Sequence, residues 1–168
     1  KEAVPVFEKT SIYEFYCDLS GMDRFFGCFK YGTELRERVI RETGLPISFG
    51  LSANKTVSKI ATGEAKPNNK RQILLGEEIP FLAPLPVEKI PMVGDKTGQT
   101  LRNMGVKVIR TIQEMPIELM DSAFGEQGRM IWRKARGEDN SPVIPYQERK
   151  SISTERTFEK DTTDITML

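Results

Sequence analysis

The stretch ETGLPISFGLSANKTVSKIATGEAKPNN, residues 42–69, decides the fold of this chain. Apolar residues first alternate with small or polar ones, at Ile47, Phe49 and Leu51. This period of two is typical of a half-buried strand. Apolar residues then recur at helical spacing, at Val57, Ile60 and Ala61, until the break at Pro67. The stretch therefore predicts a strand followed directly by a helix that packs its apolar side against a sheet.

Similar patterns extend on both sides of this stretch. Residues 4–21 are rich in β-branched and aromatic side chains and predict one or two strands. Residues 33–44 predict a helix that stops at Gly44, and a short apolar run at 72–75 predicts a further strand. The order β, α, β, α, β predicts a mixed sheet with helices packed on it.

The sequence changes character after Glu78. Four prolines between residues 79 and 97 indicate a boundary. Three helical pieces then follow, at residues 96–104, 109–114 and 117–135. A polar, proline-bearing linker is predicted from Gly137 to Tyr146, and strand-like spacing resumes after it. The chain thus contains an α/β piece, a small all-helical piece and the start of a third unit.

Composition narrows the classes of function. The 168 residues carry 25 basic and 24 acidic side chains, so the overall charge points to no particular partner. The chain has no histidine, which excludes Ser-His-Asp and Cys-His catalysis and histidine zinc sites supplied by this chain alone. No stretch reaches the length of a membrane span and no signal peptide is recognisable. We therefore expect a soluble, cytoplasmic protein with no membrane partner.

The predicted helix after Asn54 is strongly basic. Between residues 53 and 72, one acid stands against five basic side chains, namely Lys55, Lys59, Lys66, Lys70 and Arg71. At about 100° per residue, the first three would share one helix face, although the following Pro67 disfavours helical geometry at Lys66. Such a face could neutralise a polyphosphate. A solvated surface opposite the core stripe is the alternative.

A second candidate site lies in IPMVGDKTGQTLRNMG, residues 90–105. A proline-bearing hairpin reaches Gly94, and a helix then begins with Asp95, Lys96 and Thr97. Backbone amides at a helix start carry partial positive charge, and Lys96 adds a full charge. This turn could therefore hold a nucleic-acid phosphate without reading bases. A plain helical hairpin with a capped second helix would explain the same pattern.

A third candidate lies in TSIYEFYCDLSG, residues 10–21, which predicts a strand that ends in a turn. The Glu14 carboxylate could help to hold a divalent cation, because hard cations prefer carboxylate oxygens. Asp18 shares the same face but lies about 13 Å away in an extended strand, too far to share one ion with Glu14. An ordinary structural strand is the alternative.

Together, and in their order along the chain, four segments resemble the Y-family DNA polymerases of the DNA polymerase IV type. These are low-fidelity enzymes that copy past damaged template. SIYEFYCDLSG (11–21) resembles the family's catalytic palm strand. Residues 42–69 resemble a palm strand and helix that ends in Ala-Lys-Pro-Asn. Residues 90–105 resemble the helix-hairpin-helix of the thumb, and RKSISTERTF (149–158) resembles the entry to the little-finger domain.

The resemblance implies an α+β fold in which a partial polymerase palm, with a mixed or antiparallel sheet and packed helices, precedes a small all-helical thumb. The implied boundaries are 1–80 for the palm, 81–140 for the thumb, and 141–168 for a linker and the first strand of a truncated little-finger domain. The implied protein is a fragment of a translesion DNA polymerase that acts in DNA repair. Its substrates would be primer–template DNA and a deoxynucleoside triphosphate, and the full-length protein would bind a sliding clamp.

The resemblance also implies roles for individual residues. Glu14 matches the catalytic carboxylate that helps to bind Mg²⁺ and organises the primer 3′-hydroxyl. Lys66 matches the lysine that contacts the triphosphate of the incoming nucleotide. Gly94, Lys96 and Thr97 match the hairpin that holds the primer-side phosphates. The implied reaction is two-metal phosphoryl transfer onto the primer 3′ end.

The sequence departs from the family pattern in three places. Tyr13 stands where the family has a metal-binding Asp, and a neutral phenol is a poor Mg²⁺ ligand. The family's other metal-binding aspartate lies in an N-terminal strand that this sequence does not contain. Met92 replaces the first glycine of the hairpin. With one of three carboxylates, we expect this chain not to bind Mg²⁺ stably or extend primers by itself. A non-catalytic, sequence-independent DNA-binding module and a palm-like nucleotidyl cyclase relative are the alternatives.

Overall fold

The first half of the chain folds into short strands and helices. The computed structural model describes residues 4–22, 27–145 and 153. The elements of this half are β1 (Val6–Lys9), β2 (Phe15–Asp18), α1 (Cys28–Thr43), β3 (Phe49–Leu51), α2 (Lys55–Glu64) and β4 (Lys70–Gln72). β1 and β2 pair antiparallel, whereas β3 and β4 pair parallel with α2 as the crossover between them.

The strands form two separate pairs rather than the single mixed sheet that the sequence predicts. Among the described residues, no ladder of hydrogen bonds joins the β1–β2 pair to the β3–β4 pair. The strand predicted at 72–75 is present but lies earlier in the chain, because β4 spans Lys70–Gln72 and has ended by Leu74. The Leu74 amide donates to the Glu77 carboxylate (3.2 Å) instead of a neighbouring strand. Leu75 is consequently 85% exposed.

α2 lies directly on β3. A Cβ added at Gly50 would be 2.5 Å from the Ser58 carbonyl oxygen and 2.6 Å from the Thr62 amide nitrogen. The Gly50 amide also donates to the Thr62 hydroxyl (2.7 Å). The apolar stripe predicted for this helix is confirmed as buried, at Val57, Ile60 and Ala61. A glycine in β3 thus permits the close approach of helix and strand.

The second half of the chain is helical. Its elements are α3 (Glu78–Leu82), a 3₁₀ turn (Val87–Lys89), α4 (Asp95–Asn103), α5 (Ile109–Glu114) and α6 (Ile117–Ala135). The three helices predicted from periodicity are confirmed to within one residue. α6 is interrupted at Gly125, whose φ of 60° and ψ of −143° lie outside helical geometry. One buried apolar cluster joins the two halves and includes Val57, Ile60, Ile73, Leu82, Leu101, Ile112 and Ile131.

Candidate functional site

The residues that match the catalytic strand lie at a turn. Residues 10–14 connect β1, which ends at Lys9, to β2, which begins at Phe15. The amides of Thr10 and Ser11 donate to the Glu14 carbonyl oxygen (3.1 and 3.2 Å), which closes the turn. The prediction of a continuous strand is therefore wrong for residues 11–14, because local hydrogen bonds replace a ladder there.

Tyr13 and Glu14 differ in their surroundings. The Tyr13 side chain is 91% exposed. The Glu14 carboxylate accepts hydrogen bonds from the Lys59 ammonium of α2 and from the Thr10 hydroxyl (3.4 Å). Lys59 and Glu14 are 43% and 41% exposed, and ion pairs at such exposure typically contribute about 0–1 kcal/mol. Glu14 thus lies beside a positive charge that can be displaced at a small cost.

The described residues do not fit a magnesium ion by themselves. Among them, no group of three or more His, Cys, Asp or Glu side chains is close enough to hold a metal. Hard cations need several oxygen ligands, and Glu14 supplies one carboxylate. Asp18 lies at the far end of β2, where it accepts a hydrogen bond from the Ser20 amide (2.8 Å). Hydrogen bonding by Ser20 lowers the pKa of Asp18 from its usual value.

Lys55 makes structural contacts instead of forming part of an open basic face. Its Nζ lies 2.8 Å from each oxygen of the Glu8 carboxylate, 3.3 Å from the Pro142 carbonyl oxygen and 4.9 Å from the centre of the Tyr16 ring. Since Lys59 is also paired, acids from the β1–β2 hairpin neutralise two of the three lysines on the predicted polyphosphate face. Lys55 and Lys59 therefore do not form the open polyphosphate face that the sequence left as one of two alternatives.

Lys66 lies beyond the end of α2. The helix ends at Glu64, so Lys66 does not share the helical face of Lys59, as expected for a residue that precedes proline. Lys66 follows Lys59 by seven positions, which would correspond to about 10 Å of helical rise. No contact within the described part of the chain joins Lys66 to Glu14. The structure brings Glu14 together with Lys59 and leaves Lys66 exposed beyond the C-terminal end of α2.

A cleft of about 330 Å³ lies between the β1–β2 hairpin, α2 and the helical half. Its lining includes Glu14, Tyr16, Lys59, Pro91, Lys134 and Asp139. Burial, and then the negative charges of Glu14, Glu8 and Asp139, raise the pKa of Tyr16 to about 12. The Tyr16 phenol is therefore neutral at physiological pH. The cleft holds charges of both signs, close to one another.

The helix-hairpin-helix segment presents a helix start with open amides. The 3₁₀ turn (Val87–Lys89) leads to Gly94, and α4 begins at Asp95. No side chain of the described residues caps the first turn of α4. Lys96 is exposed and Thr97 is half-buried. Open amides and a neighbouring ammonium group can together hold a phosphate.

Met92 adopts a backbone conformation that suits glycine. Its φ of 84° lies in the left-handed region, where a residue with a Cβ is strained. The side chain is 45% exposed, and the carbonyl oxygen accepts a hydrogen bond from Gln127 Nε2 (3.4 Å). The hairpin therefore takes a glycine-like path although methionine occupies the position.

Asp139, which falls in the predicted linker, makes contacts that the sequence does not indicate. The Asp139 carboxylate accepts hydrogen bonds from the Thr56 amide (3.1 Å) and hydroxyl (2.6 Å). Burial alone would raise the pKa of Asp139, but hydrogen bonds from Ser141 and Thr56 and the charge of Lys134 outweigh it and lower the pKa well below its usual range. Thr56 lies 83 residues away, so no local pattern signals the contact.

Comparisons with known proteins cover both halves of the chain. Residues 1–63 match the impB/mucB/samB family, and residues 88–139 match the DNA polymerase-iota thumb domain. DNA polymerase IV from Dehalococcoides mccartyi is 35% identical over 165 residues, which are 98% of this chain and 42% of that protein. DNA polymerase IV from Alkalilimnicola ehrlichii is 37% identical over 162 residues, which are 96% of this chain and 46% of that protein. This chain belongs to the Y-family DNA polymerases.

The fold agrees with the Y-family assignment. A solved Y-family DNA polymerase chimera aligns with a TM-score of 0.74 and 23% identity, over 88% of this chain and 44% of that one. The chain spans less than half the length of the two curated relatives. Their match to nearly the whole chain does not favour the alternative of an unrelated, non-catalytic DNA-binding module. Among the described helices, none is long and apolar enough to cross a membrane.

Proposed function

We propose that this chain is the palm-and-thumb portion of a template-directed translesion DNA polymerase that adds deoxynucleotides to a primer 3′ end during damage bypass. The proposed boundaries are 1–80 for the palm, 81–140 for the thumb and 141–168 for the linker and the entry to a little finger. That entry lies outside the described residues, apart from Ser153. Membership of the Y-family and homology to DNA polymerase IV over both halves support the proposal.

The thumb supplies the grip on primer–template DNA in this proposal. Gly94 precedes α4, Lys96 is exposed in its first turn and Thr97 follows it. The observation that carries the proposal is the start of α4, where no described side chain competes with a phosphate for the first-turn amides. Contacts of this kind fix the register of a duplex without reading its sequence.

The palm supplies the nucleotide side of the site. Lys66 is exposed after α2, and we assign it to the triphosphate of the incoming nucleotide, where an ammonium group offsets phosphate charge. Glu14 is the catalytic carboxylate. In this proposal the intact enzyme would use Mg²⁺, but the described residues do not fit the ion by themselves. We therefore propose that this chain alone does not extend primers. A sliding clamp as partner and a cytoplasmic location remain parts of the proposal.

Duplex DNA binding tests the thumb assignment. Lys96→Ala should weaken binding to a short duplex several-fold and reduce the slope of log affinity against log salt by about 1, because one phosphate contact is lost. Lys107→Ala is the matched control, since Lys107 is an exposed lysine of the same helical half outside the first turn of α4. Equal losses in the two variants would contradict a phosphate site at α4.

A chimera tests the assignment as a polymerase. This chain would replace the matching portion of DNA polymerase IV from Alkalilimnicola ehrlichii, with and without Tyr13→Asp. We expect primer extension with Mg²⁺ from the Asp chimera and none from the Tyr chimera, because only the former regains a second carboxylate beside Glu14. The proposal fails if the Asp chimera folds and binds duplex DNA but adds no nucleotide. Extension by this chain alone would contradict its proposed inactivity.

A further inference from the structure

Residues 137–144, here called the strap, run from the end of α6 back over the start of α2. The Gly137 carbonyl oxygen accepts a hydrogen bond from the Asn54 side chain (2.7 Å). The Pro142 carbonyl oxygen accepts one from Lys55 (3.3 Å), and the Ile144 amide donates to Glu8 (2.7 Å). Contacts at intervals along its length tie the strap to α2 and β1, so it is not a loose linker.

Asp139, also in the strap, accepts four hydrogen bonds. One carboxylate oxygen accepts from the Thr56 amide (3.1 Å), from the Thr56 hydroxyl (2.6 Å) and from Lys134 Nζ (3.4 Å). The other accepts from the Ser141 amide (3.0 Å). The Asp139 and Lys134 side chains are 7% and 15% exposed, and Thr56 is 2% exposed. Hydrogen bonds to a charged group are stronger in such a setting than at an open surface.

The first turn of α2 is therefore capped twice. Asn54 accepts from the Val57 amide (3.0 Å), and Asp139 accepts from the Thr56 amide. These amides would otherwise lack a partner within the helix. A carboxylate at a helix start is also favoured by the helix dipole. One of the two caps comes from the far end of the helical half and thus sets the position of α2 relative to α6.

The same turn of α2 also holds the hairpin that carries Glu14. Lys55 binds Glu8 on β1 and lies over the Tyr16 ring on β2. Lys134 of α6 donates to the Thr56 hydroxyl (2.8 Å). The hairpin, α2 and α6 thus meet at two consecutive residues, Lys55 and Thr56, and the strap closes over both.

We propose that Asp139 is a positioning residue of the nucleotide site. It fixes the orientation of α2, and thereby of Lys59 and Lys66, relative to the helical half that carries the DNA-binding turn of α4. Its effect on nucleotide binding rests on the proposed function. The α4 turn is held by hydrogen bonds within the helical half, since the Val93 amide donates to the Ile90 carbonyl oxygen (3.0 Å) and the Gly98 amide donates to the Gly94 carbonyl oxygen (2.8 Å). Loss of Asp139 therefore weakens triphosphate binding while the α4 turn keeps its grip on duplex DNA.

The test compares Asp139→Ala with Asp139→Asn and Thr56→Val, and Asp121→Ala serves as the control. Asp121 is paired with Arg129 on α6, away from the strap. Three quantities are measured on the whole chain: amide hydrogen exchange at residues 55–58, affinity for deoxyadenosine triphosphate, and affinity for a short duplex. We expect exchange at the start of α2 to rise about tenfold in Asp139→Ala. Triphosphate affinity should fall about fivefold, and duplex affinity should stay within about twofold.

Asp139→Asn retains one acceptor oxygen, and Thr56→Val retains the amide contact. Both variants should therefore change hydrogen exchange and triphosphate affinity in the same direction as Asp139→Ala, but by less. They decide the question if Asp139→Ala does not fold. Unchanged exchange at the start of α2 in folded variants overturns the proposal. Parallel losses of triphosphate and duplex affinity would show that Asp139 only stabilises the fold, which also overturns the positioning role. If the unaltered chain does not bind the triphosphate, the proposed nucleotide site fails, while hydrogen exchange still decides the role of the strap.

Discussion

The starts of α2 and α4 look alike in sequence and differ in structure. Each helix begins with a lysine in its first turn, at Lys55 and Lys96. At α2, side chains cap two first-turn amides, and a carboxylate neutralises Lys55. At α4, no side chain among the described residues caps the helix, and Lys96 is exposed. The first start stabilises the fold, whereas the second leaves its first-turn amides without a side-chain partner among the described residues.

The difference shows that a count of lysines does not measure the charge available to a ligand. The stretch that contains α2 has the larger local excess of positive charge in the sequence. In the structure, Glu8 and Glu14 reach its lysines from 47 and 45 residues away. The α4 turn has fewer basic residues, but the ammonium group of Lys96 is exposed. Binding capacity therefore depends on which charges the fold leaves unpaired.

The largest change in the free energy of unfolding is expected from disrupting the close packing of α2 against β3. Gly50→Ala would place a methyl group 2.5 Å from the Ser58 carbonyl oxygen and should destabilise the protein by about 3 kcal/mol, the upper range for overpacking. Urea unfolding measures the change. Gly63→Ala in α2 is the control, because a Cβ added at Gly63 would have no neighbouring atom within 4 Å. We expect it to stabilise by about 0.5–1 kcal/mol. Equal stability of the two variants would contradict the close packing.

Acid should weaken the capped start of α2. The pKa of Asp139 is lower in the folded protein than in the unfolded chain. Its contribution is therefore fully present above the unfolded value of about 4 and is lost as the pH falls below it. We expect Asp139→Asn to lower the thermal midpoint at neutral pH, corresponding to about 1–3 kcal/mol, and to flatten the midpoint's dependence on pH below about 4. Identical pH profiles of the two proteins would exclude Asp139 as a source of acid sensitivity.

A glycine at position 92 tests whether the backbone of the hairpin before α4 is strained. Met92→Gly removes the strain of a left-handed backbone at φ 84° and should stabilise the protein by about 1 kcal/mol. The gain is partly offset because glycine has more freedom in the unfolded chain. Denaturant unfolding and duplex binding would measure both effects. Met104→Gly is a suitable control, since Met104 is similarly exposed (58%) but has a φ of −80°. A lower stability for Met92→Gly would refute the strain.

Local signals predicted the elements whose ends are set by nearby residues. The helix predicted to stop at Gly44 does so, because Gly44 adopts a φ of 71° and its amide donates to Ile40 (2.8 Å). The break at Pro67 likewise agrees with an α2 that ends at Glu64. Periodicity located α5 and α6 correctly, but it did not indicate the interruption at Gly125.

Long-range contacts could not be predicted in this way. The pairing of Lys59 with Glu14 and the capping of Thr56 by Asp139 join residues distant in the chain, and no local pattern specifies them. The turn at residues 11–13 was missed because its alternation of side chains resembles that of a strand. The family resemblance named Glu14, Lys66 and the α4 turn as candidate sites, and their roles stay predictions.

The salt dependence of duplex DNA binding tests the difference between the two helix starts most directly. Lys55→Met and Lys96→Met make the same change of charge in the first turns of α2 and α4. Both variants would be compared with the unaltered chain at a temperature where all three are folded. We expect Lys96→Met to reduce the slope of log affinity against log salt by about 1 and Lys55→Met to leave the slope unchanged. A reduced slope for Lys55→Met together with an unchanged slope for Lys96→Met would contradict this expectation.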